Sequence, residues 1–238
     1  MGRVHFVGGE KGGVGKSLTA RVLAQYYIDG LRPFAGFDLD HSHATFSRFY
    51  QRYTSPVKVD DFSSLDRIVE FAEQKPDHDL ILDLAAQTAR QLDKWIEDSD
   101  VLEIFTELGY QSYFWHVMDD GADSLQLLGK TLQRYRYPQL NFVVVLNQGR
   151  GEEFSFFRES DIYRELCQRK PKIFQLKKLE TRLTQKIDFN NSSFWAAANN
   201  REIMSLVERK RVAVWLQNSY KQIDNLLGLE TDVSNANT

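Results

Sequence analysis

The residues best suited to chemistry are Gly8-Gly-Glu-Lys-Gly-Gly-Val-Gly-Lys-Ser17. Closely spaced glycines let backbone N–H groups curl around phosphate oxygens, and a helix starting directly behind them adds the positive end of its dipole. On this reading Gly12, Gly13, Val14, Gly15 and Leu18 cradle a nucleotide. Lys16 reaches the β- and γ-phosphates, and the Ser17 hydroxyl completes the shell of Mg²⁺. The chemistry implied is ATP binding and phosphoryl transfer. The strict pattern G-x-x-x-x-G-K-[ST] fails only at its first place, where Glu10 stands. A chance glycine-rich turn is the alternative, and the strand-like run before the loop and the helical run after it argue against one. Polar residues also stand where later apolar runs stop: Asp38 and Asp40, Asp83, and Asn147. Asp38, Asp40, His41 and His43 together raise a metal site, but near neighbours on one turn rarely converge on one ion.

Such residues need strands and helices to hold them. The apolar runs Val4–Val7, Phe34–Phe37, Leu80–Leu84, Tyr113–Met118 and Phe142–Leu146 predict buried strands. Helical patterns lie between them at Ser17–Asp29 (closed by Gly30), Ser64–Gln74, Gln87–Glu97, Asp123–Tyr135 and Glu153–Arg169. A further strand, Ile173–Leu176, precedes a helix over Asn200–Leu227. Strands alternating with helices predict a single α/β domain: a doubly wound, mostly parallel sheet with helices on both faces. Residues 1–228 form this nucleotide-binding domain, and the polar residues 229–238 are expected to be a disordered tail.

Composition narrows the classes. The chain has 238 residues, 42% of them hydrophobic and 26% charged, enough for one large core. Its one cysteine, Cys167, excludes a disulfide framework, a zinc ribbon and a thiolate-held iron–sulfur cluster. No apolar run approaches the roughly 20 residues of a membrane span, and no signal-like segment opens the chain. Phe6 occupies the place where a myristoylation site wants Ser or Thr. A cytoplasmic protein is expected.

Lys11-Gly-Gly-Val-Gly-Lys-Ser17 resembles the deviant Walker A loop of the ParA/MinD family of ATPases. The resemblance implies a homodimer formed on ATP binding, with Lys11 reaching in trans to the partner's nucleotide and Lys16 acting in cis. Two cations on one triphosphate stabilise transition-state charge and couple ATP to dimerisation. Phe37-Asp-Leu-Asp40 resembles the family's switch I, where Asp40 would position the attacking water and Asp38 would support the Mg²⁺ shell. Ala44-Thr45 keeps the end of a motif whose earlier residues, His41-Ser-His43, depart from it. Leu80-Ile-Leu-Asp83 is similar to a Walker B strand, placing Asp83 near Mg²⁺ through water. The continuation Leu84-Ala-Ala-Gln87 departs from the family's usual Pro or Gly. Asn147 matches an amide that reads the adenine edge, or is a turn residue.

The net charge of −3 conceals a basic block, Arg164–Lys186, with eight Lys/Arg and two Asp/Glu. In partition ATPases the ATP dimer holds DNA without sequence preference. Lys172, Lys177, Lys178, Arg182 and Lys186, with Arg209, Lys210 and Arg211, are the candidates here. A solvated helix face is the alternative. A membrane helix is disfavoured, because Arg209–Leu216 continues into a polar, acidic tail. The expected activity is slow ATP hydrolysis, stimulated by a cargo adaptor or centromere-binding protein, which positions or partitions plasmid DNA or a protein complex. The stretches Lys11–Phe46 and Phe105–Asn147 are loosely similar to ParA-like ATPases of conjugation and mobilisation operons. A small-molecule kinase or a non-hydrolysing nucleotide-binding interaction protein is the reading from another class, and either would leave Lys11 without a role.

Overall fold

The computed structural model describes residues 2–40, 43–86, 88–168 and 171–229. β1 (Gly2–Gly8) runs through the glycine loop into α1 (Lys16–Asp29). Then come β2 (Phe34–Asp38), α2 (Thr45–Tyr50), β3 (Thr54–Pro56), α3 (Phe62–Gln74) and β4 (Asp79–Asp83). The middle of the chain supplies α4 (Ala89–Asp98), α5 (Val101–Glu107), β5 (Tyr110–Met118), α6 (Ala122–Arg134) and β6 (Leu140–Asn147). It closes with α7 (Ser155–Glu159), α8 (Asp161–Gln168), β7 (Lys172–Leu176), α9 (Thr181–Phe189), α10 (Phe194–Asn199) and α11 (Leu206–Leu227).

The strands form one seven-stranded sheet in the order β3-β2-β4-β1-β5-β6-β7, with every pairing parallel. Parallel neighbours require helical crossovers, and these cover both faces, so the central strands are apolar throughout. Alternation along each strand divides the core in two. Phe6, Leu82 and Phe114 face a layer that includes Leu65, Trp95, Phe105 and Leu128 of α3–α6. Val7, Ile81 and Trp115 face the other layer, with Leu23, Phe46, Leu183, Phe194 and Val212 from α1, α2 and α9–α11. The register brings the chemistry to one edge: Val7 and Asp38 both lie beside Asp83, and Gly8 lies beside His116. This is the carboxyl end of the sheet, where open α/β folds place their ligands.

Three elements depart from the expected pattern for local reasons. The single helix expected over Glu153–Arg169 is two helices, α7 and α8. Ser160 between them is extended (ψ 155°), and its Oγ donates to Phe157 O (2.7 Å) and accepts from Tyr163 N (3.1 Å). The helix expected from Asn200 begins at Leu206, behind a capping box. Ser205 Oγ accepts from Glu208 N (3.3 Å), and Glu208 Oε2 accepts from Ser205 N (2.7 Å). The edge strand β3 has no apolar run to announce it, and Pro56 ends it where no inner neighbour needs its N–H. Among the described residues no helix is long and apolar enough to cross a membrane. Residues 230–238, most of the expected tail, lie outside the described residues, as do His41 and Gln87.

Candidate functional site

The glycine loop has left-handed backbone at Gly9 (φ 139°), Gly13 (73°) and Gly15 (104°), while Glu10 is not among the positive-φ residues. The first place of the pattern therefore needs no glycine here, and Glu10 does something else. It accepts from Arg134 Nη1 at 2.8 Å, while Arg134 Nε meets Asp93 at 3.0 Å. The loop is thereby tied to α6 and α4. At Gly15 a Cβ would stand 2.3 Å from Asn147 Nδ2, so this place is closed to any side chain. Gly15 O accepts from both Thr19 N (3.0 Å) and Thr19 Oγ1 (3.1 Å), which locks the first turn of α1 behind the loop.

Lys16 is 8% exposed and donates to Lys11 O at 2.9 Å. Burial lowers its pKa, opposed by Asp83, Asp40 and Glu10. A buried ammonium among backbone amides favours a highly charged anion over a single carbonyl. His116, at the end of β5, is driven to about 3 by burial and then by the Lys16 charge, so it is a neutral imidazole beside the loop.

Asp83 is fully buried at the end of β4, and beyond the Ser17 hydroxyl beside it no group among the described residues satisfies its two oxygens. Burial pushes its carboxyl up to about 8, against the pull of the Ser17 hydroxyl and, more weakly, of the Lys16 ammonium; nearby Asp38 and Asp40 push it the same way as burial. A buried carboxylate so poorly satisfied costs free energy that a cation would recover. Its hard oxygens beside the Ser17 hydroxyl fit Mg²⁺, which takes one or two protein oxygens and fills its shell with water and phosphate. Among the described residues no cluster of three His, Cys, Asp or Glu forms a metal cage.

Asp38 is already engaged. Its Oδ1 accepts from Asp40 N (3.0 Å) and its Oδ2 from Ser47 N (2.8 Å), so both oxygens shape the turn after β2. Asp40 accepts from His43 N at 3.2 Å and lies 3.3 Å from His43 Nδ1, beside this turn. Asn147 is also engaged. Its Nδ2 donates to Val14 O at 2.6 Å and its Oδ1 accepts from Gly149 N at 3.0 Å, so in this structure it braces the loop. An amide has two donors and two lone pairs, leaving one of each for a base edge. Beside it, a cleft of about 280 Å³ runs between Leu18, Gly149, Lys178 and Phe194.

Two acids missed in the sequence stand at the end of β5. Asp119 holds Lys11 Nζ at 2.9 and 3.0 Å through its two oxygens, and also accepts from Gly121 N (3.0 Å) and Ser124 Oγ (2.5 Å). Asp120 accepts from Glu152 N and Glu153 N at 3.0 and 3.1 Å, pinning the turn that leaves β6. Their only sequence signal is a pair of acids at a strand's end.

Three known proteins are similar to this chain. Protein TraL of Escherichia coli is 26% identical over 240 residues, spanning 94% of this chain and 98% of TraL. Protein MobD of Acidithiobacillus ferrooxidans is 25% identical over 155 residues, 64% of this chain and 66% of MobD. The septum site-determining protein MinD of Pyrococcus horikoshii, solved with Mg-ADP, superposes with a TM-score of 0.58. It does so at 14% identity, over 98% of this chain and 100% of MinD. The chain has a MinD-like P-loop fold. No protein-family model matches it.

The basic residues do not form one free surface. Lys172 Nζ donates to Leu226 O, and Lys186 pairs with Glu208 at 2.8 Å. Arg209 donates to Met204 O at 2.9 Å, Arg211 pairs with Glu180 at 2.8 Å, and Lys178 pairs with Glu152 at 3.2 Å. Lys177 and Lys210, which have no carboxylate partner among the described residues, border a groove rich in apolar side chains, and Arg182 lies on α9.

Proposed function

We propose that the chain is an ATP-dependent dimerising switch of the ParA type, which positions or partitions a cargo during plasmid conjugation or mobilisation. The likeness to TraL and MobD supports that setting. The observation that carries the reading is the poorly satisfied, fully buried Asp83 beside Lys16, at the mouth of a loop built from left-handed glycines. The loop amides and Lys16 bind the phosphates, and Ser17 and Asp83 hold Mg²⁺. Mg²⁺ held there would supply positive charge to offset that developing on the phosphates. Asp40, set by the turn that Asp38 shapes, orients the attacking water. Lys11 leaves Asp119 to reach the nucleotide of a second copy.

Nonspecific DNA contact, expected from the basic block, would use Lys177 and Lys210 directly, with Lys178 and Arg211 exchanging their exposed ion pairs for phosphates. Isothermal titration with ATP is the decisive experiment. Lys16→Ala should lose binding, and retained micromolar affinity would overturn the loop assignment. Asp40→Ala should bind ATP yet hydrolyse it at least ten-fold more slowly; an unchanged rate would remove Asp40 from the reaction.

A further inference from the structure

The outer face of α11 is unusually apolar for a surface helix. Leu206, Val207 and Val214 are 63%, 59% and 55% exposed, and they lie at helical spacing along one side. Across from them stand the segment between β7 and α9 and the start of α9. Leu183 (1% exposed) and Trp215 (6%) are recessed between the two walls of a groove of about 610 Å³. Two bonds tie the walls of the groove to each other. Trp215 Nε1 donates to Lys177 O at 2.7 Å, and Arg211 spans to Glu180 at 2.8 Å. Lys177 and Lys178 rim one wall, Lys210 and Arg211 the other.

We propose that this groove docks an acidic amphipathic helix of a partner protein, its leucine-type face on Leu206, Val207 and Val214 and its carboxylates on the four rim cations. Charge complementarity selects the occupant. A duplex offers phosphates to the cations but nothing to the apolar floor. A bilayer takes up a continuous protruding apolar face, whereas here Leu183 and Trp215, between the exposed apolar side chains of α11 and the opposite wall, are 1% and 6% exposed. A helix laid in a groove meets both features, through anchors at i, i+3, i+4 and i+7. Two of the rim cations, Lys178 and Arg211, already hold the exposed acids Glu152 and Glu180, so carboxylates on a partner would exchange with bonds of the same kind. Lys177, Lys178 and Leu179 also line the cleft beside Asn147, so the occupant would sit next to the nucleotide side of the molecule. The proposal stands whether or not the chain hydrolyses ATP.

The test is display selection on the immobilised full chain. The library is a helical peptide with Leu fixed at i, i+3, i+4 and i+7 and flanking positions randomised over Asp, Glu, Lys and Ser. Enrichment of Asp and Glu is expected. The selected peptide should bind Val214→Asp and Lys210→Glu at least ten-fold more weakly than the parent, and more weakly as salt rises. Both positions are on the helix exterior, and an unchanged melting temperature identifies folded variants. If Val214→Asp nevertheless fails to fold, Val207→Ser serves as the second variant. No enrichment, enrichment of Lys or Ser, or binding indifferent to these substitutions would overturn the proposal. It would also fall if a 20-base-pair duplex or phosphatidylglycerol vesicles bound this face where acidic peptides did not.

Discussion

At the level of single residues, Asp83 is the group whose chemistry the fold most strongly perturbs. Its carboxyl sits near 8 in the folded chain, from an ordinary value of 3.8, because burial disfavours its charge. An acid raised on folding binds more protons folded than unfolded between those two values, so stability falls as pH rises through that window and levels off above it. Asp83→Asn removes this dependence. Without nucleotide, the variant should match the parent near pH 4 and exceed it increasingly up to about pH 8, by on the order of a few kcal/mol. Melting curves across that range would show it, and parallel curves would refute the assignment. With Mg²⁺ and nucleotide the order should reverse, because the ion requires the carboxylate. Lys16, Ser17 and Asp83 could be picked out of the sequence as candidates because the first two open the helix behind the glycine loop and Asp83 ends an apolar strand. The bracing by Asn147 and the turn-shaping by Asp38 were not legible, since spacing does not reveal which hydrogen bonds a side chain has already made.

At the level of elements, long strands and amphipathic helices were legible and short helices were not. The apolar runs located β1, β2, β4, β5, β6 and β7 to within a few residues, since strands buried on both faces are continuous apolar stretches. By contrast α2, α5, α9 and α10 span nine residues or fewer. Helices that short owe their stability to tertiary packing rather than to their own sequence. The start of α11 shows how a cap overrides periodicity. The pattern runs back to Asn200, yet the Ser205–Glu208 capping box sets the boundary. Glu208 also receives Lys186 of α9 at 2.8 Å, so the cap joins two helices. Ser205→Ala should cost about 1 kcal/mol, seen as a lower urea midpoint at unchanged slope. It should leave ATP affinity untouched, because the bonds of the cap join Ser205, Glu208 and Lys186 and none of these is a loop residue. A loss of affinity would instead mean that α11 communicates with the nucleotide.

At the level of the whole molecule, the proposed switch needs something that keeps the chain from dimerising before ATP arrives. Lys11 and Asp119 are 108 positions apart, and only the sheet order that puts β5 beside β1 brings them together, which is why no local motif could announce the pair. Both oxygens of Asp119 face the Lys11 ammonium, and Gly121 N and Ser124 Oγ hold that carboxylate in place. A lysine so held is not extended toward a second subunit. Dimerisation through Lys11 must therefore break this ion pair, and its strength is subtracted from the dimer's. Part-exposed pairs of this kind contribute up to about 1 kcal/mol, a factor of about five in an equilibrium constant. Each dimer breaks two such pairs, so Asp119→Asn should lower the protein concentration at which Mg-ATP drives dimerisation by roughly four- to twenty-five-fold, measured by light scattering, with ATP affinity of the monomer unchanged. Lys11→Ala should bind ATP and remain monomeric at every concentration, and the double variant should behave like Lys11→Ala, since Asp119 acts only through the lysine it holds. If Asp119→Asn dimerised no more readily than the parent, the pair would be a structural tie between β5 and the loop. A dimer that survived Lys11→Ala would remove the lysine from the interface altogether.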